Sequence, residues 1–348
     1  MKLIISLDLG TTSARAVLFN EDGKCLAIEQ KEFTQIFPES GWVEHDPNEI
    51  LKVQMEVLED LLKREESRNG EIVGMGITNQ RETVVVWDRA TGEPVYNAIV
   101  WQDRRTVEAC QELRASGLSD YCKLVTGLVI DPYFSGTKLA WVLDNVDGAR
   151  ERAERGELCF GTLDSWLLWN LTGGKVHATD VSNASRTLMF NIRTLEWDDG
   201  MLRALNVPAA LLPEVKESGS VFGECVTRDF GNVPIAAIMG DQQSALFGQT
   251  CFTPGTAKNT YGTGCFMLMN TGSAIPDSPS GLLNTIAWQV GGKVVYALEG
   301  SVFVSGSAMQ WLRDGLEILE DVGESSTISA RHADSYGDST VVVVPAFS

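Results

Sequence analysis

The 348-residue sequence has few cations for its size: 28 Lys and Arg stand against 47 Asp and Glu, a formal net charge of −19. With a pI near 4.6 and no Lys/Arg-rich run, general binding to a nucleic-acid backbone or an anionic membrane is excluded as the main role. There are three histidines, isolated at 45, 177 and 332, and none has metal-ligand spacing. The seven cysteines are scattered with no CxxC pair, which reads as reduced thiols of a cytoplasmic protein, mostly in the core. No apolar run approaches the ~18 residues of a membrane span, and the N-terminal MKLIISLDLG meets Asp8 too early for a signal peptide. The sequons at Asn170 and Asn183 then read as chance matches. The P-loop pattern and GxGxxG are absent. Asp229-Phe230-Gly231 matches a protein-kinase tripeptide whose companion motifs are missing.

What remains is an ordinary globular composition, 44% hydrophobic and 22% charged, long enough for two domains. Residues 3–7 and 14–19 read as strands joined by a turn at Gly10–Ser13, with a third strand at 25–30. Asp46-Pro47 starts a helix through Arg64, because Asp caps well and Pro suits the first helical position. Strands are expected at 71–77 and 83–88, and helices at 103–115, 136–144, 149–155 and 162–170, a mixed α/β order. A second strand-turn-strand spans 257–269 around Gly262-Thr263-Gly264, with further strands at 294–298 and 340–344. The β-branched run near Ser348 reads as a strand cut off inside a second domain, against the alternative of a natural terminal strand.

Three places have the residue types for chemistry. The turn Gly10–Ser13 can aim N–H groups and hydroxyls at a phosphate, with Arg15 as a cation and Asp8 as a Mg²⁺ carboxylate. Gly262–Gly264 offers a second such turn, and two facing hairpins would clamp a polyphosphate. Asp241 follows the apolar strand 235–239 and opens a helix, either as an exposed cleft carboxylate or as a simple N-cap. Arg81-Glu82 suits polyol hydroxyls if the chain bends there, since neighbours on a regular strand point apart; otherwise it is a surface ion pair.

Seven blocks, among them Asp8–Arg15, Gly41–Pro47, Gly76–Thr83, Asn97–Arg105, Gly127–Gly136, Gly240–Gln243 and Asn259–Met267, closely resemble the FGGY carbohydrate kinases, the glycerol-phosphorylating members above all. The resemblance runs in order over the whole chain. It implies an α/β, actin-like ATPase fold of two ribonuclease-H-like domains, residues 1–247 and the incomplete 248–348, with ATP between them. The implied activity is ATP-dependent phosphorylation of glycerol; the alternatives are a kinase for another small polyol or sugar, or a catalytically silent polyol-binding fragment.

By matching position, the polyol pocket is expected at Arg81, Glu82, Trp101, Tyr133, Asp241, Gln242 and Phe266, with Asp241 as the base. Thr11, Thr12, Ser13 and Arg15 are expected to hold the β/γ-phosphates, Asp8 and Asp241 to place Mg²⁺, and Thr263, Gly306 and Gln310 to touch the nucleotide. A full-length chain could form a homo-oligomer. The family's adenine-binding segment lies beyond the position of Ser348. Residues 223–234 lack both the sugar-phosphate loop and the phosphorylatable histidine segment of other members, so neither regulation is expected. Leu9 stands where many members have Gln, and no function attaches to it.

Overall fold

The computed structural model describes residues 1–226, 232–262, 264–278 and 281–332. The expected strand at 340–344, the tripeptide at 229–231 and Thr263 lie outside the described residues.

The first sheet has six strands in the spatial order 223–225, 233–240, 71–79, 2–9, 13–20, 25–32. The first three in sequence form an antiparallel meander, while 71–79 and 233–240 join parallel to 2–9. Alternation explains why Lys2–Leu9 is a strand: Leu3, Ile5, Leu7 and Leu9 are all buried on one face. The helix Pro47–Lys63 covers that sheet with Ile50, Val53, Val57, Leu58 and Leu61, spaced for a single stripe. Its start is capped as expected, with Asp46 accepting from the N–H of Asn48 and Pro47 at the first helical position.

The middle of the chain forms helices Val107–Ala115, Ser135–Asn145, Ala149–Glu154 and Leu163–Leu171, close to the expected spans. It also contains a helix Ser119–Thr126 that sequence reading passed over. The expected strand at 83–88 is shorter, Val85–Asp88, and leaves the main sheet to pair with Leu158–Gly161. There Trp87 packs edge-on against Trp166 at 5.4 Å, filling space beneath the sheet.

The second sheet is fully antiparallel, ordered 257–261, 265–272, 293–302, 283–290. Leu283–Val290 was not expected, and Lys293–Val302 is twice the expected length. This sheet docks on the first body through specific backbone contacts: Asn284 donates its N–H to the carbonyl of Gly127 at 3.0 Å, and the Tyr296 hydroxyl donates to the Ile192 carbonyl at 2.8 Å.

Gly127 ends its helix with φ +74°, and a Cβ there would lie 2.6 Å from the carbonyl oxygen of Asn284. Two constraints therefore require glycine: a left-handed backbone and contact between the two bodies. Gly127→Ala is expected to cost about 1–3 kcal/mol, seen as a lower midpoint in thermal unfolding. An unchanged midpoint would mean that the second sheet is not seated on this helix end.

A candidate polyol and phosphate cleft

Register places the site. Leu9 pairs with Asn79 and Asn79 with Gly240, so the strands 2–9, 71–79 and 233–240 end side by side. The turn after Leu9, the segment Gln80–Glu82 and Asp241 thus emerge at one carboxyl edge, where open α/β sheets bind ligands. Residues from the second sheet, Gly262, Gly264 and Phe266, close the opposite side of a cleft of about 150 Å³. Its walls include all seven residues expected for the polyol pocket, together with Thr11.

Arg81 and Glu82 do converge, because the backbone bends: Glu82 has φ +63°, an uncommon conformation for a non-glycine residue. They are no surface pair. The Arg81 guanidinium, 1% exposed, meets Glu299 of the second sheet in a two-point bond, Nη1 to Oε2 at 2.6 Å and Nη2 to Oε1 at 3.0 Å. Nη2 also donates to the Tyr133 hydroxyl at 3.1 Å. Arg186 completes the cluster, donating to Glu82 Oε1 at 2.6 Å and to Glu299 Oε1 at 2.9 Å. Most of the Arg81 fork is therefore committed to protein groups, and its Nε faces Asp241 at 3.5 Å.

Asp241 is the first residue of the helix Asp241–Gly248, and Gly240 occupies the cap position. The carboxylate is not a cap. It accepts from its neighbour Gln242, from the N–H at 2.8 Å and from Nε2 at 2.9 Å, and keeps 35% of its side chain open to the cleft. Burial raises its pKa, with the guanidinium of Arg81 opposing. Asp8 is pushed up to about 6, chiefly by burial, partly offset by Arg15 and raised further by Asp241. Arg15 lies 3.5 Å from Asp8.

The turn after Leu9 closes with the Gly10 N–H donating to the Ser13 carbonyl at 2.9 Å. Thr12 is exposed at its tip, Ser13 accepts from Gln30, and the Thr11 hydroxyl accepts from the Trp101 indole at 3.1 Å. Across the cleft the Gly306 N–H donates to the Gly262 carbonyl at 3.0 Å, so Gly306 adjoins the second turn. Gln310 ends the short helix Gly306–Gln310 and is exposed. Aromatic rings form the remaining wall: Trp101 lies 5.7 Å from Tyr133 and 5.8 Å from Phe266, nearly edge-to-face with each.

Comparison with known proteins identifies the family and the fold. Residues 3–248 match the N-terminal domain of the FGGY family of carbohydrate kinases, and residues 257–348 match its C-terminal domain. The chain belongs to the FGGY family of carbohydrate kinases. It is 58% identical over its full length to a glycerol kinase of Carboxydothermus hydrogenoformans and spans 69% of that relative. It is 59% identical to a glycerol kinase of Bacillus mycoides, with 99% of this chain and 70% of the relative covered. The crystal structure of Plasmodium falciparum glycerol kinase with ADP superposes with a TM-score of 0.89 at 38% identity, covering 95% of this chain and 67% of that one. A xylulose kinase from Rhodospirillum rubrum, 20% identical, shares the fold with a TM-score of 0.83 over 95% of this chain and 67% of its own. The actin-like, ribonuclease-H-like two-domain fold is thus established for this FGGY kinase.

Sequence reading missed Arg186, Glu299, Lys258 and Phe303, which lies 5.1 Å from Tyr133. Glu299 had a signal: a lone acid directly after the apolar run Val294–Leu298 has to be paired if that strand continues buried. In the folded chain burial works against its ionisation, yet the guanidiniums of Arg186 and Arg81 hold its pKa down to about 2.

Glu299→Ala would leave Arg81 and Arg186 buried with Glu82 as the main counter-charge. A loss of about 3–5 kcal/mol is expected in urea unfolding, and a loss under ~1 kcal/mol would contradict this pairing. A glutamate of depressed folded pKa stabilises fully above its unfolded value of ~4.3. Its share is lost as pH falls from there toward 2, so Glu299→Gln should flatten the stability profile in that window.

Proposed function

We propose that this FGGY kinase transfers the γ-phosphoryl group of ATP to a hydroxyl of glycerol, as its relatives' names indicate for them. The observation that supports it most is the open carboxylate of Asp241 at the meeting point of a polar pocket, an aromatic wall and two glycine turns. Glycerol has three hydroxyls on a short carbon chain. The rings of Trp101, Tyr133 and Phe266 suit its C–H face, while Arg81 Nε, the Glu82 carboxylate and the Gln242 amide offer donors and acceptors for its hydroxyls.

Asp241 is assigned as the general base. It accepts the proton of the attacking hydroxyl as the oxygen bonds to the γ-phosphorus and ADP departs with the bridging oxygen. Thr11, Thr12, Ser13 and Arg15 are assigned to the β- and γ-phosphates, since a tight turn presents N–H groups and hydroxyls to one anion. Thr263, Gly306 and Gln310 are assigned to the nucleotide from the second domain. A charge of −19 does not prevent ATP from entering, because repulsion from distant carboxylates is screened beyond ~8 Å.

Among the described residues no group of three or more His, Cys, Asp or Glu comes together as a metal site. Asp8 and Asp241 nonetheless fit Mg²⁺. Burial raises the pKa of both, and the charge of Asp241 raises Asp8 further, a repulsion that a divalent cation removes. Mg²⁺ commonly takes one or two carboxylates plus substrate phosphates, and when bound it would neutralise charge on those phosphates. No helix among the described residues is long and apolar enough to cross a membrane. The seven cysteines form no disulfide, which favours a cytoplasmic setting where ATP is plentiful.

The test is ADP release coupled to a reporter, with ATP, Mg²⁺ and glycerol. Asp241→Asn keeps the size and removes the base, and is expected to lower kcat by about 10²-fold or more. A near-normal rate would remove Asp241 from that role. Turnover of another polyol or sugar in preference to glycerol would overturn the substrate assignment.

A further inference from the structure

Lys258 lies in the strand Ala257–Tyr261, opposite Asp241 across the domain junction, and is 6% exposed. A buried ammonium is costly unless its donors are used. All three are: Lys258 Nζ donates to Gln242 Oε1, to Thr260 Oγ1 at 2.9 Å and to the Phe266 carbonyl at 3.0 Å. Two of these acceptors belong to its own hairpin. The third crosses to the first domain.

That third bond decides how the Gln242 amide sits. An ammonium has donors only and a carboxylate has acceptors only. With Oε1 on Lys258, Nε2 turns to Asp241 Oδ2 at 2.9 Å, and the opposite orientation would set NH₂ against ammonium and oxygen against carboxylate. The amide NH₂ has a second hydrogen, left for a ligand in the cleft that Gln242 lines. We propose that Lys258 is a positioning residue of the phosphoryl-transfer site, acting through Gln242: it pins the amide oxygen so that the amide nitrogen holds the Asp241 carboxylate and presents its remaining hydrogen to the polyol. Because Lys258 comes from the second sheet, this chain of bonds completes the pocket only when the two domains are seated together. The inference rests on the reading of Asp241 as base and Gln242 as polyol ligand.

A double-mutant cycle tests it on the full chain. Lys258→Met is expected to lower kcat/KM for glycerol about tenfold alone, but less than about twofold in a Gln242→Ala background, where there is no amide to position. A lysine that only ties its own hairpin together, through Thr260 and Phe266, gives the same fold-loss in both backgrounds, and that additivity would overturn the proposal. Lys258→Gln retains an N–H donor for Gln242 Oε1 and should recover part of the loss; it replaces the Met variant in the cycle should that variant fail to fold. The cycle is also read on glycerol affinity by calorimetry. An unmodified chain that binds glycerol without turnover overturns the proposed reaction while the binding cycle still decides the coupling, and a chain that neither binds nor turns over glycerol overturns both.

Discussion

The bond between Arg81 and Glu299 ties together, at the cleft, two bodies that also meet through Gly127 and Asn284 and through Ile192 and Tyr296. Arg81 leaves the carboxyl end of a parallel strand in the first sheet, and Glu299 sits inside a strand of the second. Their two-point contact is buried, and Arg186 and Glu82 extend it to two cations and two anions. A pair like this contributes little to net stability compared with apolar packing, since desolvation offsets most of the attraction. Its consequence is geometric. Charges buried at that depth need their partners in place, so the cluster fixes how the two sheets meet at this edge of the cleft.

The cleft inherits its order from strand register. Parallel strands of matched length end together, and three such ends deliver a turn, an Arg-Glu pair and Asp241 to one edge. The close approach needed there explains Gly240: a Cβ would lie 2.8 Å from the Arg81 side chain, so a larger residue would push the guanidinium off Glu299. Glu82 is bent into the left-handed region at the same place. Strain and small residues gather where the chain must bring charges together, as expected of a functional edge.

Elements whose pattern is local were legible in the sequence. The first hairpin alternates cleanly, the helix at Pro47 is capped and striped, and the glycine turns have few other conformational uses. The residues expected for the polyol pocket, from Arg81 to Phe266, were readable because motif blocks held them together, and the structure lines one cleft with them. What escaped were partners supplied by distant segments. Arg186 lies between two short elements with no periodic signal, and nothing local says that it reaches Glu82 and Glu299. Lys258 reads as an ordinary strand lysine until the docking of the second sheet brings it to Gln242 of the first domain. The strand Val85–Asp88 was recognised as a strand but not as one that leaves the main sheet, because β-patterning identifies a strand and not its neighbour.

The proposed transfer requires a polyol lying between the aromatic wall and Asp241 with a hydroxyl ready to lose its proton. A crystal structure of the chain with glycerol at saturating concentration tests this most directly. Glycerol is expected against Trp101 and Tyr133, with one hydroxyl oxygen about 2.6–3.2 Å from an Asp241 carboxylate oxygen. Glycerol bound elsewhere, or seated in this cleft with every hydroxyl turned away from Asp241, would contradict it.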